Sequence, residues 1–233
     1  MNIEDNKVAF TLAEVLITLG IIGVVAALTL PALIQNYKKH EASARLKKFN
    51  TTLNQVMMFS ENDNGPSIDW ARNGDILDEA GNLDWNANFS EQRRFFEKYF
   101  APYMEYVDIK DGETDVDEEG TISVKSHVTV YFKDGSSMHL YNGGAFDMIF
   151  DINGNKRPNK AGYDRFNFEV SSESYARMFF PENHNFGTRR VIWDRGNFTR
   201  DAYLGYCKDN ALYCARLLEM DNWEFKKDYP YKL

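Results

Sequence analysis

Glu14 carries the most demanding chemistry in the chain. It stands at the head of residues 15–34, twenty positions without a single charge. A carboxylate beside such a run is costly unless something neutralises it. An N-terminal amine nearby would do so, and one exists there only if the chain is cut just before Phe10. Other residues could also do chemistry. Asp151, Asn153, Asn155 and Asp164 space oxygens along a turn-rich stretch, as a hard cation such as calcium would need. Seven acids crowd residues 108–119, and Cys207 and Cys214 lie seven apart. The four histidines, His40, His127, His139 and His184, form no spacing signature.

Familiar catalytic patterns are missing. There is no Gly-x-Ser-x-Gly, no His-Glu-x-x-His and no phosphate-binding glycine loop with its lysine. The sequence therefore predicts a protein that is not an enzyme and names no catalytic residue. The 233 residues allow one or two domains, and the formal net charge is −8. That balance disfavours general capture of nucleic acid, which needs excess Lys and Arg. Two cysteines exclude both a disulfide-dense scaffold and a four-thiolate metal site.

The element that must position Glu14 is the apolar run. As a helix, twenty residues rise about 30 Å, which matches the hydrocarbon core of a bilayer. A cleaved secretory signal would have a basic start, a shorter apolar stretch and a small-residue cleavage site. Here Glu4, Asp5 and Lys7 mix charges, the run is long, and no Ala-x-Ala site follows. A plain signal anchor fits the length, and a buried core helix is the remaining ordinary reading.

The order Ala9-Phe10-Thr11-Leu12-Ala13-Glu14, followed by the apolar run, resembles the class III signal of type IV pilins and type II secretion pseudopilins. The resemblance is dense from Lys7 to about Phe59. It implies cleavage by a prepilin peptidase between Ala9 and Phe10, and N-methylation of Phe10. It assigns Glu14 to subunit assembly, with Thr11 beside it. Pro31 stands 21 residues after Phe10, where many members carry a proline, and should kink the helix. The residue before the cut is Ala9 rather than the family's usual Gly. Counting Lys and Arg alone, with Lys38, Lys39, Arg45, Lys47 and Lys48 after the span, would put the C-terminal side in the cytoplasm. The resemblance puts it outside, and that topology is the one expected.

In a filament, the Phe10 amine of one subunit would pair with Glu14 of its neighbour. In a low dielectric such a pair is favourable only when both partners are present, so it acts as a register device. Gly20 and Gly23 either permit close helix approach or are simply small residues tolerated in a membrane helix.

Beyond the run, Leu46, Phe49, Leu53, Val56 and Met57 recur at three- and four-residue spacing and form one apolar face. The breaker cluster at residues 61–66 ends this helix. Residues 91–103 read as a helix whose Phe95, Phe96, Tyr99 and Phe100 pack in a core. The acidic residues 108–119 read as a solvated loop, with divalent cation binding the sharper alternative. Strands are expected at 127–132, 137–141, 145–152 and 165–170, an antiparallel meander of about four. A two-residue turn at Asp134-Gly135 would place Val130 opposite His139 and put His127 on the other face. The stretch from Asp151 to Asp164 reads as a turn-rich connection in which Asp164 caps backbone amides. Calcium remains the minority reading, because Gly162 stands where a calcium loop has its last acid and Lys156, Arg157 and Lys160 oppose a cation. Pilins often carry a C-terminal disulfide loop, and some pseudopilins bind calcium near the C-terminus. In an oxidising compartment Cys207 and Cys214 would form that bond, with a redox or two-thiolate metal site less supported. Residues 211–220 read as a short helix and 223–231 as an aromatic tail that packs.

The expected fold is thus α+β and pilin-like. Residues 1–9 are a leader, 10–37 a transmembrane and assembly helix, 38–61 its amphipathic continuation, and 62–233 an extracytoplasmic globular domain. The expected function is a pilus or pseudopilus subunit of the minor or secretion type. Its partners would be other subunits, the prepilin peptidase, the inner-membrane assembly platform and, before assembly, membrane lipid. The alternative is a signal-anchored extracytoplasmic enzyme or binding protein with an uncleaved helix.

Overall fold

The computed structural model describes residues 11–70, 75–112, 114–116, 122–124, 127–141, 145–171, 186–188 and 199–231. Its first element is a helix of 53 residues, α1 (Leu12–Asn64), which runs unbroken through Pro31. The helix has two physical halves. Up to about residue 41 its apolar side chains are bare, with Leu16, Ile17, Ile21, Ile22, Val24 and Leu28 all at least 60% exposed. After that a stripe is buried: Ala42, Leu46, Phe49, Leu53, Val56, Met57 and Ser60. The steps of three and four residues bring one side of a 3.6-residue helix onto a single partner.

That partner is an antiparallel sheet of six strands among the described residues, in the order β1-β4-β5-β6-β7-β8. The strands are β1 (Asp108–Asp111), β4 (Val128–Tyr131), β5 (Ser137–Tyr141), β6 (Ala145–Asp151), β7 (Arg165–Ser171) and β8 (Phe186–Thr188). A separate two-stranded ladder pairs β2 (Thr114–Val116) with β3 (Ile122–Val124). The four expected strands are the four central ones, so the meander of four widens to six. The acidic stretch expected to be a solvated loop instead supplies β1 and β2. An edge strand has one side unpaired, so Asp108 and Asp111 stay wet while Ile109 turns inward.

Val128, Val130, Met138, Leu140, Phe146, Met148, Phe150, Phe166, Phe168 and Val170 form the core face of the sheet. Phe49 of α1 stacks on Phe150 with centroids 3.9 Å apart and meets Phe168 edge-on at 5.1 Å. The second helix, α2 (Trp85–Tyr99), is capped by the Asp84 carboxylate, which accepts from the Ala87 amide at 3.0 Å. Its Phe95 stacks on Phe146 at 4.1 Å, and Trp70 lies flat on Tyr99 at 4.3 Å. Two helices close the chain, α3 (Arg200–Asp209) and α4 (Cys214–Met220), with Tyr203, Leu217 and Leu218 fully buried. The aromatic tail packs: Trp223 faces Phe168 and Phe225 faces Phe166.

Candidate functional site

Thr11 and Glu14 close the start of α1. The Thr11 hydroxyl accepts from the Glu14 amide at 3.3 Å, while Glu14 Oε2 accepts from the Thr11 amide and hydroxyl, both at 2.8 Å. This is a reciprocal capping box, satisfying donors that a helix start leaves open. The spacing Thr-x-x-Glu at Thr11 and Glu14 is the sequence signal of such a box. Glu14 thus has partners within its own chain. Ala9 and Phe10, the expected cleavage and methylation positions, lie outside the described residues. The amphipathic continuation runs to Asn64, and Gly65, with φ of 78°, ends it.

Arg45 locks the second half of α1 to the domain. Its guanidinium donates to the carbonyls of Asp134 and Ile152 at 3.0 and 2.8 Å and pairs with Glu41 at 3.0 Å. Beside it, Lys48 bonds Asp134 at 2.9 Å. Burial acts to raise the Asp134 carboxyl, but bonds from Ser136 and Lys48 outweigh it and hold the pKa down at about 2.

The four oxygen-bearing candidates for calcium are each bonded to groups of the chain itself. Asp151 accepts from Arg165 Nε at 2.9 Å and from the Asn153 amide at 3.1 Å. Asn155 turns its amide to the Tyr131 hydroxyl at 3.2 Å. Asn153 does reach Asp164, at 3.3 Å. Asp164 caps the loop as the sequence suggested, accepting from the amides of Asn159 and Lys160 at 2.9 and 2.7 Å. Burial, then the nearby Asp151 charge, pushes its carboxyl up to about 6 against those amides and Arg165. Gly162, with φ of 80°, lets the tail lie close: a Cβ there would sit 2.7 Å from the Tyr231 ring. Tyr229 Oη donates to the Gly162 carbonyl at 2.6 Å.

The histidine geometry differs from the expected one. Inside the β4–β5 connection the Phe132–Ser136 pair closes a loop of three residues, 133–135, with the Phe132 amide donating to the Ser136 carbonyl and the Gly135 amide returning to that of Phe132. Val130 therefore faces Met138, and His139 faces Thr129. A shift of one residue swaps faces, so His127 and His139 share one. On that second, polar face His139 Nδ1 lies 3.1 Å from the Thr129 hydroxyl and Nε2 lies 3.9 Å from Asp151. Thr129, His139 and Asp151 are all buried. Among the described residues no group of three or more His, Cys, Asp or Glu is placed to hold a metal ion.

Cys207 and Cys214 form a disulfide, with Cα atoms 4.6 Å apart, that ties α3 to α4. Both cysteines are fully buried.

Fold and site together define an α+β protein whose first helix is long and apolar enough, over its bare half, to cross a membrane. The chain belongs to DUF6613, a family of unknown function, which it matches over residues 32–233. The match covers the packed domain and begins just after Pro31. No curated protein and no solved structure matches the chain.

Proposed function

We propose that this protein is a structural subunit, a pilin or pseudopilin of the minor or secretion type. In this reading it is cut between Ala9 and Phe10, methylated on Phe10, and assembled through its N-terminal helix into a type IV pilus or a type II secretion pseudopilus. It waits in the inner membrane as a single-pass protein with its C-terminal domain outside the cytoplasm. Prepilin peptidase and an assembly platform are its partners, followed by other subunits.

The observation that carries the reading is the continuity of α1. One helix begins at the Thr11–Glu14 motif, runs bare and apolar for a membrane's thickness, and passes without a break into the stripe that packs on the sheet. Such a helix offers its bare half to lipid or to copies of itself, because none of the described residues of its own domain covers it. The disulfide agrees with a domain outside the cytoplasm.

A second reading has an observation of its own. The capping box gives Glu14 a role that needs no neighbour, which suits a signal-anchored extracytoplasmic protein. Intact mass of the membrane-extracted protein separates the two. The subunit reading expects a methylated N-terminus at Phe10, and Glu14→Val that stays in the membrane but fails to assemble. An N-terminus at Met1 would reject it.

A further inference from the structure

Among the described residues two clefts adjoin the second half of α1, and they differ in how their charges are used. The first, about 400 Å³, is lined by Lys48, Phe49, Glu105, Lys133 and Asp134 among others. Its lysines are spoken for: Lys48 bonds Asp134 and Lys133 bonds Glu105 at 2.8 Å. The second, about 550 Å³, opens between α1 and the Asp151–Asp164 connection. Its acids are the committed groups. Glu41 holds Arg45, Asp134 holds Lys48, and Asp164 accepts two amides. Lys38, Lys156 and Arg157 line the same cleft with exposed side chains and no ion-pair partner among the described residues.

A protein of net charge −8 thus gathers three uncommitted cations around one concave site. The place matters as much as the charge. Lys38 follows the uncharged run by four residues, which a helix covers in about 6 Å. If the run lies in a bilayer, as the function proposed above requires, the mouth of the cleft stands at headgroup depth. Lysine and arginine both suit a phosphate oxyanion, arginine through two parallel N–H donors.

We propose that this cleft binds a phosphate-bearing anion, supplied by the headgroup of an anionic phospholipid, through Lys38, Lys156 and Arg157. The site would fix the height and rotation of the domain over the membrane, since α1 alone leaves rotation about its axis free.

The test uses the full chain in nanodiscs. It is incorporated into phosphatidylcholine alone, then into equal parts of phosphatidylcholine and phosphatidylglycerol, and the lipids it retains on transfer to detergent are counted by native mass spectrometry. Phosphatidylglycerol should be enriched about tenfold or more over phosphatidylcholine. The triple variant Lys38→Gln, Lys156→Gln, Arg157→Gln should lose that enrichment with an unchanged circular dichroism spectrum, as befits exposed side chains. Lys133→Gln, which strips charge from the other cleft alone, should keep it. Equal enrichment in wild type and triple variant overturns the proposal, and so does equal loss in the triple variant and Lys133→Gln. Inorganic phosphate titrated against the full chain in detergent is the second arm. Saturable binding that the triple variant lacks, without lipid enrichment, would keep the anion site and overturn its lipid source. Failure to enter phosphatidylcholine nanodiscs at all would count against the membrane reading itself, while the phosphate arm still judges the site.

Discussion

His127 and His139 meet edge to face on one side of the sheet, with ring centroids 4.7 Å apart. The relationship is set by the three-residue loop that follows Phe132. Gly135 takes φ of 82° there, the left-handed conformation that a loop of this length needs at its last position. Gly154 backs the same loop, and a Cβ on it would stand 2.6 Å from the Gly135 carbonyl oxygen.

Gly135→Ala has open space around it and should cost about 1–2 kcal/mol through φ alone. Gly154→Ala adds a clash with rigid backbone and should cost more. Urea midpoints of the two variants check the order. The reverse order would mean that the two turns do not touch in solution.

Phe49 is the keystone between helix and sheet, stacked on Phe150 and edge-on to Phe168. Phe49→Ala should lose about 3–5 kcal/mol. Phe59, ten residues along the same helix, is 52% exposed. Phe59→Ala should stay within about 0.5 kcal/mol. Chemical denaturation of the pair, at one detergent concentration, measures both.

Asp164 should contribute a loss of stability as the pH rises from about 4 to about 6. Asp164 titrates near 6 when folded and near the ordinary 3.8 when unfolded. The native state therefore binds more protons in that window, and raising pH favours the unfolded chain. The full effect is about 1–3 kcal/mol. Asp164→Asn keeps one acceptor oxygen and should flatten the slope. Unfolding midpoints across the window decide it, and identical slopes would remove Asp164 as the cause.

Breaking the disulfide should weaken the domain without erasing it. The closed loop is short, so the chain-entropy model gives roughly 2–3 kcal/mol. That corresponds to a fall in Tm of about 5–10 °C. Cys207→Ser with Cys214→Ser should show this fall, while Tyr203, Leu217 and Leu218 still hold α3 and α4 in place. Calorimetry of oxidised protein and variant tests the size.

Legibility followed length and periodicity. The stripe from Leu46 to Met57 repeats often enough to announce its face, and Phe95 to Phe100 proclaim a core by bulk alone. The four central strands alternate clearly and were readable. β1 and β8 were not, because they have four and three residues and owe their pairing to a neighbour rather than to their own pattern. The histidine geometry failed for a different reason. Asp134-Gly135 fits a two-residue turn as well as a three-residue loop, and one residue of loop length moves His139 to the other face. α3 gave little warning, since its Arg200 finds its carboxylates on Asp221 and Asp228, more than twenty residues away.

The bonds between Thr11 and Glu14 change what joining a fibre would involve. A cationic amine from another copy could not simply dock on a waiting acid. It would have to displace two donors that already hold that oxygen, making each addition a swap with little net change in bonding. Growth and shrinkage would then pass through the same briefly uncapped helix start, and a change at Thr11 would alter the speed of both more than the length finally reached.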